Sequence, residues 1–284
     1  MYGGTEMKRL ISLCAATALL ISLGGCADFA PDPTPTQDTS PGFEYTAESF
    51  PALYASAAYT PMAEAVAAIM LGTTREEAAA ELSLVSTDGA WAALDSGEAG
   101  LVIAPEGSDM PGGIETAAIG RDALVFFVGQ GSGIDSLAVG ELERIFSLRA
   151  DSWAPYGGEG AISILKRPAG SGSAAAIERL IGSDPAGYTG ESAPLSHEGV
   201  IGYGLWSECA LMGLADGYEL IAVGGVEPTE ESISSGEYPL CVDTLAGMAA
   251  DAGEESPERV LYLWLQGTVG QAFLSSQGYL EAEE

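Results

Sequence analysis

The chain has 284 residues, of which 41 are acidic and 10 basic, giving a formal net charge of -31. Repulsion on that scale excludes a general binder of nucleic acid or of anionic lipid surfaces, while leaving room for one anion held locally by short contacts. Hydrophobic residues make up 47% of the sequence, enough at this length for a sizeable core divided over two lobes.

Residues 1–26 read as an export signal. Lys8 and Arg9 form a basic start, residues 10–21 an apolar run too short to span a bilayer comfortably, and Leu23-Gly24-Gly25-Cys26 resembles a bacterial lipobox. That resemblance implies cleavage before Cys26 and lipidation of its thiol, and so attachment to the outer face of the cell membrane. Residues 27–46 carry Pro31, Pro33, Pro35 and Pro41 among Thr and Asp, and read as a disordered tether. Cys14 and Cys26 belong to the signal. Cys209 and Cys241 remain for the folded body, either as a disulfide or as two separate thiols.

Pro61 opens a periodic apolar helix over 62–71, with shorter helices expected at 75–82 and 89–94. Residues 82–86, 101–104, 123–128, 162–165 and 220–223 read as buried strands. Helices follow at 139–146, 173–181, 257–265 and 269–275. This alternation predicts α/β lobes with ligands at strand ends and helix N-termini.

The most informative stretch is Arg167-Pro168-Ala169-Gly170-Ser171-Gly172-Ser173, which runs straight into the 173–181 helix. A helix N-terminus presents unpartnered N–H groups and the positive end of the macrodipole. Ser171 and Ser173 add hydroxyls, Gly172 lets an anion approach the backbone, and Arg167 offers a planar fork suited to two oxygens. The same residues also suit an ordinary Arg-Pro turn followed by an N-cap.

Several segments resemble the substrate-binding proteins of ABC phosphate importers. Residues 119–128 resemble that family's strand entering the second lobe. Residues 135–147 with Trp153 and Gly157-Gly158 resemble its Ile-Phe-Ser-Gly segment, residues 167–173 its anion loop, and Val200-Ile201-Gly202-Tyr203 its Ile-Gly-Tyr motif. Residues 224–240 and the closing 270–280 resemble its second hinge and C-terminus. The resemblance implies a two-lobed type II periplasmic-binding-protein fold with two crossing hinge strands. Lobe 1 would be residues 47–122 and 237–284, and lobe 2 residues 123–236. It also implies a monomeric carrier, not an enzyme, that takes inorganic phosphate or a related oxyanion and delivers it to membrane permease subunits. No cofactor and no metal are expected, since His197 is the only histidine and lacks a companion at ligand spacing.

Carried onto this chain residue by residue, the family pattern puts Arg167, Ser171, Gly172 and Ser173 on the second lobe of the site. Ser56, Ala57, Ala58 and Thr87 face them from the first lobe, although the family's hydroxyl at one of these positions is here Ala57. Thr87 reads as a ligand contact or as a helix N-cap. A carboxylate that accepts the proton of hydrogen phosphate is expected after the 101–104 strand, where Pro105 and then Glu106 stand. Such an acceptor separates protonated phosphate from sulfate, which it repels. The Ala-rich first-lobe loop leaves a second reading open: a repurposed sensor or surface interaction module that has lost phosphate binding. Arg121 beside Asp122 reads as a structural ion pair, and Trp91, Trp153, Trp206 and Trp264 as core anchors.

Overall fold

The structure is a computed structural model that describes residues 43–182 and 199–282; the signal segment with Cys26, the tether up to residue 42, and His197 lie outside the described residues. Strand β1 (Leu53–Ser56) passes through a single 3-10 turn, Ala57–Tyr59, into helix α1 (Thr60–Leu71). Then come α2 (Arg75–Ala78), β2 (Leu82–Val85), α3 (Thr87–Ser96), β3 (Leu101–Pro105) and the long β4 (Ile114–Gly129). The middle of the chain forms β5 (Ser136–Leu137), α4 (Val139–Phe146), β6 (Ser163–Ile164), α5 (Gly172–Ile181), β7 (Val200–Leu205) and α6 (Trp206–Met212). It closes with β8 (Tyr218–Val223), α7 (Glu230–Ser234), β9 (Cys241–Ala249), α8 (Pro257–Gln266) and α9 (Thr268–Ser276).

Strands β2, β1 and β3 lie parallel, β9 runs antiparallel to β3, and the first half of β4 runs antiparallel to β9 from Ile114↔Ala249 to Ala123↔Cys241. From Leu124 onward β4 changes partners: β7 pairs with it on one side and β8 on the other, with β6 parallel to β7 and β5 parallel to β8. One strand therefore serves two sheets. Its second half, Leu124 to Val128, is almost wholly buried because helices cover both faces, and it reads as the continuous apolar run typical of such strands. The first half carries Thr116 and Arg121 and is less apolar, so the expected strand at 123–128 was only its second part.

Local chemistry sets the helix boundaries. Pro61 and Pro257 stand in the first turns of α1 and α8, where a missing N–H leaves no bond unmade. Gly72, Gly97 and Gly182 close α1, α3 and α5 in the left-handed conformation. The expected helix over 75–82 stops at Ala78, because the chain tightens into a 3-10 turn before β2. All four tryptophans are buried, and Trp91 donates its indole N–H to the carbonyl of Pro105 at 2.9 Å, fixing the end of β3. Among the described residues, no helix is long and apolar enough to cross a membrane.

Candidate functional site

The N-terminus of α5 faces the ends of β1 and β3 and the start of α3. Ser171 is the N-cap of α5, its hydroxyl accepting from the amide of Ala174 at 3.3 Å. Gly172 follows in close contact with the first lobe: a Cβ there would stand 2.4 Å from Pro105 Cγ and 3.1 Å from Thr87 Oγ1. Ser173 is fully buried, and its hydroxyl accepts from Arg167 Nε at 3.2 Å. Gly170, with φ +73°, turns its carbonyl to accept from the amide of Asp88 at 3.2 Å, a backbone bond between the lobes.

On the opposing side, Ser56 and Thr87 are buried and share a hydrogen bond of 2.8 Å. Ser56 also caps the 57–59 turn, accepting from the amide of Ala58 at 3.3 Å. Thr87 is not the cap of α3. Ser86 fills that role, accepting from Gly89 at 3.1 Å, which frees the Thr87 hydroxyl to meet Ser56. Ala57 is exposed and Ala58 buried, so the first-lobe loop brings backbone and no further hydroxyl. Thus Arg167, Ser171, Gly172, Ser173, Ser56, Ala58 and Thr87 gather around the junction of β1, β3 and α5, with Ala57 at its edge.

One expectation is corrected here, and one open alternative is decided. The carboxylate of Glu106 does not turn toward the loop at 167–173; it pairs with Arg179 further along α5, with half of its side chain in solvent. Pro105 takes the inner position, and Trp91 holds it there. Cys209 and Cys241 are both free thiols, so no disulfide joins them. Cys241 donates to the carbonyl of Tyr238 at 3.1 Å, and burial pushes the Cys209 thiol far above its usual range.

The fork of Arg167 is also committed differently from the reading of two ligand oxygens. While Nε goes to Ser173, Nη2 pairs with Oε1 of Glu208, a side chain only 6% exposed. The other Glu208 oxygen accepts from the amide of Leu205 at 3.0 Å. Glu208 lies 41 residues from its partner, and only the fold brings the two together.

Beside this pair, Asp122 is fully enclosed. One of its oxygens accepts from Ala123 N at 2.8 Å and Ser207 N at 3.1 Å, the other from Ser207 Oγ at 2.5 Å. Burial pushes its carboxyl up to about 6, with Glu208 adding to the rise and the bonds from Ser207 and Ala123 opposing it. Arg121, its strand neighbour, reaches the carbonyl of Ser234 instead, as alternation on a strand requires. Among the described residues, no group of His, Cys, Asp and Glu is arranged to hold a metal ion.

The chain belongs to the PBP superfamily: the family model for the PBP superfamily domain matches residues 103–248. It is 26% identical over 176 residues to the phosphate-binding protein PstS of Bacillus subtilis, an alignment covering 58% of this chain and 56% of that protein. It thus spans little more than half the length of that curated relative. Its fold is similar to that of a putative phosphate ABC transporter substrate-binding protein with bound phosphate from Clostridium perfringens (TM-score 0.62, 18% identity, 82% of this chain and 99% of that one). It is equally similar to an ABC-type phosphate transport receptor from Vibrio cholerae (TM-score 0.62, 17% identity, 81% and 100%). The two-lobed type II arrangement expected from the sequence is therefore the fold of this chain.

Proposed function

We propose that the protein is an exported substrate-binding component of an ABC importer that holds inorganic phosphate, or a related tetrahedral oxyanion, between its lobes. The observation that carries this reading is the N-terminus of α5, with Ser171, Gly172 and Ser173, set against Ser56 and Thr87 under the guanidinium of Arg167. Backbone N–H groups, hydroxyls and one cation converge there, which is the donor set an oxyanion requires. The relative from Bacillus subtilis and the two solved structures, all described as phosphate-binding or phosphate-transport proteins, support the same ligand. The lobes divide at 122/123 and 236/237, a division supported by the change of β4 partners beyond Ala123. Cys26 lipidation, the tether and a monomeric state complete the proposal: the anchored protein captures the anion and presents its closed face to permease subunits. Nothing in this role calls for catalysis.

Calorimetric titration with phosphate, sulfate, molybdate and small organic anions tests the reading. Micromolar or tighter phosphate binding is expected. Arg167→Ala should weaken it by about 2 kcal/mol, roughly thirtyfold, as for a lost charge-assisted contact. Unchanged affinity in that variant removes Arg167 from the site. The second reading, a repurposed interaction module, is favoured by one observation: Ser56 bonds Thr87, and Arg167 bonds Glu208 and Ser173, so the polar groups satisfy one another. No heat with any of these anions would support it.

A further inference from the structure

The ion pair of Glu106 with Arg179 takes no part in the donor set proposed for the cleft, and its two members come from different sheets. Glu106 directly follows β3, which lies between β1 and β9. Arg179 stands in the last turn of α5, a helix that packs on β7 and α4. Seven residues separate it from Gly172, about 10 Å along the helix axis. The pair therefore spans the rim of the cleft and leaves the donors at the start of α5 to any anion seated there.

The other contacts across the cleft are short-ranged and carry no opposite charges: Gly172 against Pro105, and the Gly170 carbonyl accepting from Asp88 N. On a chain with 41 acidic and 10 basic residues, closing two sides over a cleft brings like charges together. An ion pair across the rim offsets that repulsion where the sides meet. Asp243 of β9 also bears on Arg179, but it lies on the strand that runs between β3 and β4. Of the two carboxylates, only Glu106 ties α5 to the end of β3. Both members of the pair are partly in solvent, so salt acts on it directly.

We propose that Glu106 and Arg179 form a clasp that holds the cleft closed and slows the release of its anion. This rests on the reading of a two-lobed protein that closes over phosphate. The first measurement is the phosphate release rate of the full chain, by stopped-flow fluorescence at low ionic strength. Arg179→Ala and Glu106→Gln each speed release roughly two- to fivefold, as for one exposed ion pair. Combining them adds nothing further, because either change alone breaks the clasp. The gap from wild type closes in 1 M salt, where the screening length is about 3 Å. The second measurement needs no ligand: spin labels at the exposed positions Glu98 and Asp151, one on each side, report the distance across the cleft. Both variants shift that distribution to longer distances. Unchanged release rates, or effects that add in the double variant, overturn the clasp and leave the phosphate reading intact. A wild-type chain that binds no anion overturns the phosphate reading, and the label distances then decide alone: a distribution that neither variant lengthens overturns the clasp.

Discussion

Leu148 is the single non-glycine residue with positive φ among the described residues, at +59°, and its side chain is 64% exposed. It follows α4 where the importer family carries the glycine of its Ile-Phe-Ser-Gly segment. A side chain with a Cβ costs about 1 kcal/mol or more in the left-handed region, and this leucine recovers little by burial. Leu148→Gly should therefore raise stability by about 1 kcal/mol and the melting temperature by roughly 2–4 °C, as a thermal melt would show. Asp122 supplies the pH counterpart. Its folded carboxyl titrates at about 6 against an ordinary 3.8, so the native state keeps a proton that the unfolded chain has lost between those values. Its contribution to stability thus declines as pH rises from about 4 to 6 and is level above. Chemical denaturation of Asp122→Asn and wild type across that range should show the wild type losing more stability with rising pH; parallel curves would remove Asp122 as the cause.

At the scale of elements, legibility followed locality. Helices α1, α4 and α8 could be read because cap residues and apolar spacing lie within one turn of each other. The start of α5 was equally legible, since a Gly-Ser run ahead of an apolar periodic segment marks a helix N-cap, which Ser171 fills. Strand β9 was missed. Asp243, Thr244 and Gly247 interrupt its apolar pattern, and it is a strand because β3 and β4 pair with it on either side. Strand β1, of which only Ser56 was singled out, was missed for a similar reason: its four residues gain their extended form from β2 and β3. The contact of Glu208 with Arg167 depends on where β7 ends relative to α5, which no local pattern reports. The pairing of Glu106 with Arg179 was not legible, because the family resemblance located the end of β3 and not the direction its next residue faces.

Over the whole molecule, contacts between the two sides of the cradle include the backbone bond from Asp88 to Gly170, the ion pair of Glu106 with Arg179, and the packing of Gly172 on Pro105. The last is the most sensitive to side-chain size. Gly172→Ala places a methyl 2.4 Å from Pro105 Cγ, closer than carbon atoms approach, so the jaws must part. Phosphate affinity should fall at least tenfold and X-ray scattering should report a larger radius of gyration, with little loss of thermal stability, since Ala is at ease in a helical first turn. Unchanged scattering and affinity would mean that the closed arrangement does not depend on this contact.

The long β4 strand also bears on the order in which the protein is built. The second sheet draws its partners from a continuous stretch between Leu124 and Val223, whereas the first must recruit β9 to lie between β3 and β4 and the backbone of Leu280 to meet Arg121 N at 2.9 Å. As the chain emerges N-terminus first, lobe 2 has all its strands while β3 still presents an open edge. The earliest part of the body to be made is thus the last to be finished, and its apolar edge waits for the C-terminal segment. The first sheet is complete only when that segment has returned between β3 and β4.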